Sequence, residues 1–250
     1  SHAKPGKLKK IFISHLHGDH YFGLIGLIST FRLLKREADL YIYGPKGIKD
    51  IITLQLKLSK SWTDFKLFFH ELESTDSECI FEDDKVSVYT IPLIHRIYTN
   101  GFLFVEKAFD RKLNIEKAEE KNIDKAYFRK LKQGSDVLNR DGVFIKNAEV
   151  TSMRVKPKSY AFCSDTAYSE AIVPLIKSVD ALYHESTFLE SQKSLCIHTK
   201  HSTAKQAATI AKKAEVGTLI LGHYSSRYVD LGLFKSEAET VFKPVELATD

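Results

Sequence analysis

Cysteine is scarce: the 250 residues contain three, Cys79, Cys163 and Cys196. They are odd in number and far apart, which excludes a disulfide framework and suits a reducing compartment, here read as the cytoplasm. Long apolar runs are also missing. A bilayer span needs about 20 apolar residues, and the best uncharged run, 20–31, is shorter and contains a histidine. No basic-then-apolar leader opens the chain, and no internal repeat or low-complexity tract interrupts it. The hydrophobic share of 43% and charged share of 28% exclude collagen-like and disordered classes. What remains is a globular chain long enough for one large domain or two small ones.

The net charge of +5 is unevenly placed. Residues 107–158 carry 14 Lys and Arg against 8 Asp and Glu, whereas the rest of the chain carries 23 against 24. One segment therefore holds the whole positive excess. That pattern suits an arm that meets a polyanion, or simply a solvated face of mixed charge.

Apolar spacing predicts a strand at 8–14, a helix at 23–37, a strand at 38–43, a turn at Gly44-Pro45 and a helix at 46–58. This alternation suggests a layered α/β domain. Further strands are expected at 86–93, 160–164, 181–184 and 218–221, with a helix at 202–213 capped by Ser202 or Thr203. The stretch 116–133 reads as one or two charged helices ended by Gly134, an insertion unable to bury much by itself. The expected organisation is one domain over 1–250 with 107–158 inserted.

The strongest chemical signal is Ser14-His15-Leu16-His17-Gly18-Asp19-His20, directly after a predicted strand. On an extended chain, residues two apart point the same way, so His15 and His17 can share one metal. If Gly18 permits a sharp turn, Asp19 and His20 can face a second metal. Imidazole with carboxylate suits Zn²⁺ or Mn²⁺. Further candidates stand at or just past later strand ends: His95, Asp165, His184-Glu185 and His223. A lone histidine after a strand is more often packed or at the surface. Repetition of the pattern at several strand ends points to ligands gathered at one sheet edge.

These residues carry a resemblance. HLHGDH matches the HxHxDH signature of the metallo-β-lactamase fold. The segments IFISHLHGDHYFGLIGLIST, PLIHRIYTNGF, FCSDT, HESTFLES, KHSTAKQAA and LILGHYSSRY, in order along nearly the whole chain, resemble ribonuclease Z. The resemblance implies an α/β, four-layer αββα sandwich with a protruding basic arm. It implies a zinc-dependent endoribonuclease that removes the 3′ trailer of precursor tRNA by a metal-activated hydroxide, leaving a tRNA 3′-hydroxyl and a 5′-phosphate on the trailer. His15, His17 and His95 are then expected to bind one zinc and Asp19, His20 and His223 the other, with Asp165 between them; Mn²⁺ is possible at both. Asp19 is also expected to orient or deprotonate the water, and His201 to give a proton to the leaving 3′ oxygen.

Glu185, with His184 beside it, is expected behind the ligands, orienting a histidine. Ser225 and Arg227 are candidates for holding phosphate, and Lys125, Arg129, Lys130 and Lys132 for tracking the RNA backbone from the arm. A homodimer is expected from the family, and no membrane attachment.

Two departures accompany the resemblance. The family's LGTG/S-type strand and FDCGEGTQ-like segment do not precede HLHGDH, so edge strands are expected to be missing from the sheet. The Gly-Pro tip of the arm is also absent. Two other readings stay open: a hydrolase of this fold acting on a small ester, lactam or cyclic phosphate, and a non-catalytic tRNA-binding form.

Overall fold

Strand β1 (Lys10–Phe12) leads the chain into the histidine-rich motif, and helix α1 (Gly18–Leu33) begins inside that motif. The computed structural model describes residues 5–153 and 155–249. The helix starts five residues ahead of the expected start at 23. Asp19 sits in its first turn, where a carboxylate favours the helix N-terminus. Gly18 is accordingly no reversal point. The exposed Phe22 ring lies where a Cβ at this position would stand, so a larger residue here would have to turn that ring aside. Strand β2 (Leu40–Pro45) continues through the Gly-Pro pair expected to turn, followed by α2 (Ile48–Leu58) and β3 (Leu67–Leu72). The three strands form a parallel sheet in the order β1-β2-β3. Ile48, Ile52 and Leu56 recur every fourth residue on α2, and this stripe packs with Ile28 and Phe31 of α1 over Leu40 and Ile42.

Strands β4 (Cys79–Glu82), β5 (Val86–Pro92) and β6 (Asn100–Glu106) open a second sheet. The chain then passes through a run of short elements: β7 (Lys112–Leu113), α3 (Ile115–Glu120), α4 (Phe128–Lys132), β8 (Val137–Leu138), β9 (Phe144–Ile145), α5 (Asn147–Val150) and β10 (Thr151–Ser152). It returns through β11 (Ser159–Cys163), β12 (Ala181–Glu185), α6 (Lys193–Thr199), α7 (Ala204–Ala214), β13 (Thr218–Gly222), α8 (Gly232–Glu239) and β14 (Val245–Leu247). The second sheet runs β14-β13-β12-β11-β6-β5-β4, with β11 to β14 parallel.

Ala204, Ala207, Ala208 and Ala211 line the buried side of α7, and these small side chains pack with Phe234 of α8, Leu182, Leu219 and Leu221 in one core. Thr203 caps α7 reciprocally: its hydroxyl accepts the Gln206 N–H, and the Gln206 side chain accepts the Thr203 N–H. Phe12 of the first sheet meets Phe102 and Phe104 of the second, each at 5.3 Å between ring centroids. The layers are therefore helices, sheet, sheet, helices. Such parallel strands gather their C-terminal ends along one edge, the usual place for a site.

The chain divides into two compact units. The larger comprises Ser1–Ile80, Val88–Phe104 and Ser159–Asp250 and contains both helix-covered sheet faces. The smaller comprises Phe81–Ser87 and Val105–Lys158. The charged stretch 116–133 gives this unit three buried residues, and the burial is completed only by residues beyond it. Ala118, Ile123, Leu131, Val137, Ile145 and Val150 form the unit's own small core. No short element contributes more than one of these residues, and Ile123 lies between elements, so no apolar period shows in the sequence. Polar side chains pin the pieces together: Asn147 donates to the Leu131 carbonyl, and Arg111 Nε donates to Thr151 Oγ1 at 2.6 Å.

Candidate metal centre

Four strand ends and one helix start deliver the donors. His15 and His17 follow β1, and Asp19 and His20 lie in the first turn of α1. His95 follows β5, Asp165 follows β11 and His223 follows β13. Their donor atoms form two groups whose members lie within 4.8 Å of one another: His15, His17, His95 and Asp165, and Asp19, His20 and His223. Asp165 faces both groups. Its Oδ2 stands 3.7 Å from His15 Nε2, 3.8 Å from His95 Nε2 and 3.4 Å from His20 Nε2, while Oδ1 stands 3.3 Å from His223 Nε2. His20 Nε2 also has Asp19 Oδ2 at 3.3 Å, yet it is buried without a hydrogen-bond partner.

The surrounding hydrogen bonds orient the imidazoles. His95 Nδ1 lies 3.0 Å from the Lys200 carbonyl, which can only accept, so Nδ1 carries the proton and Nε2 offers a lone pair inward. Lys200 presents that carbonyl from a left-handed conformation at φ 58°, at the end of α6. Glu185, fully buried, accepts from Thr166 N–H, His201 Nδ1–H, Thr187 N–H and the Thr187 hydroxyl at 2.8–3.1 Å. Because the Thr187 hydroxyl donates to Glu185, its oxygen accepts from His223 Nδ1 at 2.9 Å, turning His223 Nε2 towards Asp165. His223 itself sits at φ 59°, a left-handed conformation that costs a non-glycine residue about 1 kcal/mol or more and that clusters at functional sites. The preceding Gly222 has no room for a Cβ beside the Tyr183 ring.

Electrostatics match this donor set. Burial, with the neighbouring His20, pushes the His15 imidazole down to about 3, and burial likewise lowers His17 and His95. Burial opposes ionisation of Asp165, but the His20 and His223 imidazoles beside it outweigh that and hold its carboxyl well below the usual range. Burial also opposes the charge on His20, yet Asp165 and Asp19 raise it overall. Neutral imidazoles whose nitrogens converge at 3.1 and 3.2 Å around His17, together with an ionised carboxylate, form a binding set for a divalent cation. The buried, unpartnered His20 nitrogen is a further donor suited to such a cation.

Residues 1–101 match the metallo-beta-lactamase superfamily. The chain is 44% identical over 239 residues to a ribonuclease Z of Parabacteroides distasonis, covering 96% of this chain and 79% of that protein. Against a ribonuclease Z of Cytophaga hutchinsonii the identity is 48% over 234 residues, covering 93% and 74%. The chain belongs to the ribonuclease Z family. A crystal structure of human tRNase Z, short form, superposes with a TM-score of 0.69 at 28% identity, covering 100% of this chain and 80% of that one.

The other residues singled out in the sequence fall in distinct places. His201 reaches the centre: a third donor group joins it to Asp165 and His223, and its ring stacks on His223 at 5.2 Å. Its hydrogen bond and charge contact with Glu185 raise its pKa overall, although burial acts the other way. His184 is not brought among the donors. Its Nδ1 donates to the Glu185 carbonyl, and its Nε2 is buried without a partner. Arg227 lies over the Phe188 ring at 5.2 Å and donates through Nε to Ser225 Oγ. Lys125, Arg129, Lys130 and Lys132 are exposed in the smaller unit, Lys130 over the Tyr127 ring at 5.6 Å.

Sequence reasoning missed three contributors: the Lys200 carbonyl, Thr187, and Arg96, whose charge acts on both His17 and His201. All three lie in the segments that carry the resemblance, Arg96 after His95 in PLIHRIY, Thr187 in HESTFLES and Lys200 at the head of KHSTAKQAA, but nothing in those segments marks them as partners of the histidines.

Proposed function

We propose that this chain removes the 3′ trailer from precursor tRNA, leaving a 3′-hydroxyl on the tRNA and a 5′-phosphate on the trailer. It is a metal-dependent endoribonuclease of the ribonuclease Z family. The observation that carries the reading is the convergence of His15, His17 and His95 on one side of Asp165 and of Asp19, His20 and His223 on the other. These residues would hold two Zn²⁺ ions per chain, or Mn²⁺. Bound divalent cations supply a water ionised near neutral pH and positive charge for the scissile phosphate.

The chain's own side chains do the rest. Asp19, largely exposed beside His20, would orient the attacking water and take its proton. His201, anchored through Nδ1 to Glu185, keeps its other nitrogen to give a proton to the leaving 3′ oxygen. Its raised pKa keeps the donor form populated near neutrality. Arg227 and Ser225 form a pair whose guanidinium fits a phosphate next to the cut.

The smaller unit supplies the exposed Lys125, Arg129, Lys130 and Lys132 as an RNA-binding arm. A homodimer is supported by α1 and α2, which leave Phe22, Leu33, Leu54 and Leu58 exposed, an apolar face that a second copy would cover. Free Cys163 and Cys196 are buried, in keeping with work in the cytoplasm, and among the described residues no helix is long and apolar enough to cross a membrane.

The test is incubation with a 3′-extended precursor tRNA, with and without chelator, followed by mapping of the product ends. A single metal-dependent cut beside the last nucleotide of the tRNA body is expected. Hydrolysis of bis(p-nitrophenyl) phosphate with the precursor left intact would replace this reading with a small-substrate phosphodiesterase.

A further inference from the structure

His201 is shared between two surroundings. On one side are Asp165 and His223; on the other it lines a cavity of about 480 Å³ together with Tyr168, Lys193, Cys196, Ile197 and Gln206. That volume lies within the range of ligand pockets, roughly 300–1,000 Å³. The walls differ from those of the metal centre. Ile197 is 66% exposed although it is aliphatic, Cys196 is buried, and Tyr168 is fixed through its hydroxyl to Glu170 at 2.7 Å. Lys193 is paired with Glu190 at 3.0 Å, so its charge is already answered. Gln206 uses its side-chain oxygen to cap α7, which leaves the amide hydrogens for an outside acceptor.

We infer that this cavity is a nucleoside subsite that receives the base of the last nucleotide of the tRNA body. The inference rests on the proposed reaction and adds its positional requirement. His201 Nδ1 is committed to Glu185, so the proton leaves from the other ring nitrogen towards the departing 3′ oxygen. The nucleoside that owns that oxygen is separated from His201 by no more than its own ribose. Its base is therefore within reach of a flank of the His201 ring. His95 and His223 stand against that ring at 5.1 and 5.2 Å and belong to the metal centre, whereas the cavity flank is apolar and large enough for a base. An aromatic and aliphatic wall accepts the flat face of any base, because stacking is sequence-tolerant. The subsite thus demands a base without choosing which one, as an enzyme serving many tRNAs needs.

The test uses the full chain and precursor tRNAs carrying an abasic residue either at the last tRNA position or at the first trailer position. In the wild-type protein, kcat/KM is expected to fall about tenfold for the tRNA-side abasic substrate, within the span of one base stack, and much less for the trailer-side one. Ile197→Glu and, independently, Tyr168→Ala should shrink that tRNA-side penalty to about threefold or less, since each removes part of the wall the base would stack on. An unchanged rate on the tRNA-side abasic substrate would overturn the subsite. So would a penalty confined to the trailer side, or one that persists at full size in both variants. Failure of the wild-type protein to cut the intact precursor would instead remove the underlying reaction, and the subsite with it.

Discussion

The larger and smaller units treat ionisable side chains in opposite ways. In the larger unit the chemistry is buried: His15, Asp165, Glu185 and His201 are each under a tenth exposed, and every one is held by specific neighbours. In the smaller unit the charges stand in water. Its ion pairs, such as Lys121–Glu149 at 2.7 Å and Arg140–Asp124 at 3.1 Å, lie at the surface, where pairs contribute little stability. The first arrangement costs desolvation and gives fixed geometry. The second costs little and gives charge density. A centre that must place a water and a proton donor needs the former; a surface that tracks phosphates needs only the latter.

The sharpest way to break this comparison is at His201. His201→Ala should lower precursor cleavage by about 10²- to 10⁴-fold, the usual worth of a positioned general acid. Metal content, read by elemental analysis, should stay at the wild-type level. Loss of metal together with activity would make His201 a ligand, which its grouping with Asp165 and His223 allows geometrically. The division between donor and ligands would then fall.

Glu185→Gln probes the buried network with a smaller change. Replacing a residue that orients catalytic groups costs about 10- to 100-fold. The direction in pH is also fixed. The Glu185 carboxylate raises the His201 pKa, so removing its charge lowers that pKa. The protonated His201 required for donation is then lost at lower pH, and the alkaline limb of the rate profile should move down. A profile that keeps its alkaline limb while the rate falls would mean that Glu185 acts through Thr187 and His223 rather than through His201.

How far these features are legible in the sequence depends on how local they are. His15, His17, Asp19 and His20 lie within six residues after one strand, so their spacing alone announces a metal site. His95, Asp165 and His223 are recognisable because strand ends in a parallel sheet share an edge. The network behind them is not. Glu185 gathers donors from Thr166, Thr187 and His201, and the Lys200 carbonyl reaches His95 across 105 residues, partnerships that exist only once the strands are side by side. The start of α1 is hidden because the metal motif doubles as the first helical turn. The core of the smaller unit escapes notice because its buried apolar residues each sit on a different short segment, with no common period.

The gentlest test addresses the other half of the comparison, charge without fixed geometry. Replacing Lys125, Arg129, Lys130 and Lys132 together by alanine leaves the buried Leu131 and its neighbours in place, since all four side chains are exposed. If they meet phosphates, precursor tRNA should bind more weakly. The slope of log affinity against log salt should also fall by about 0.7–0.9 for each phosphate no longer neutralised. Hydrolysis of bis(p-nitrophenyl) phosphate should not change if the four side chains serve only a long polyanion. A weaker affinity with an unchanged salt slope would show that the weakening is not electrostatic, and the arm would then need shape as well as charge. A parallel drop in small-diester hydrolysis would show that the smaller unit supports the metal centre, and the contrast between a precise region and a merely charged one would no longer hold.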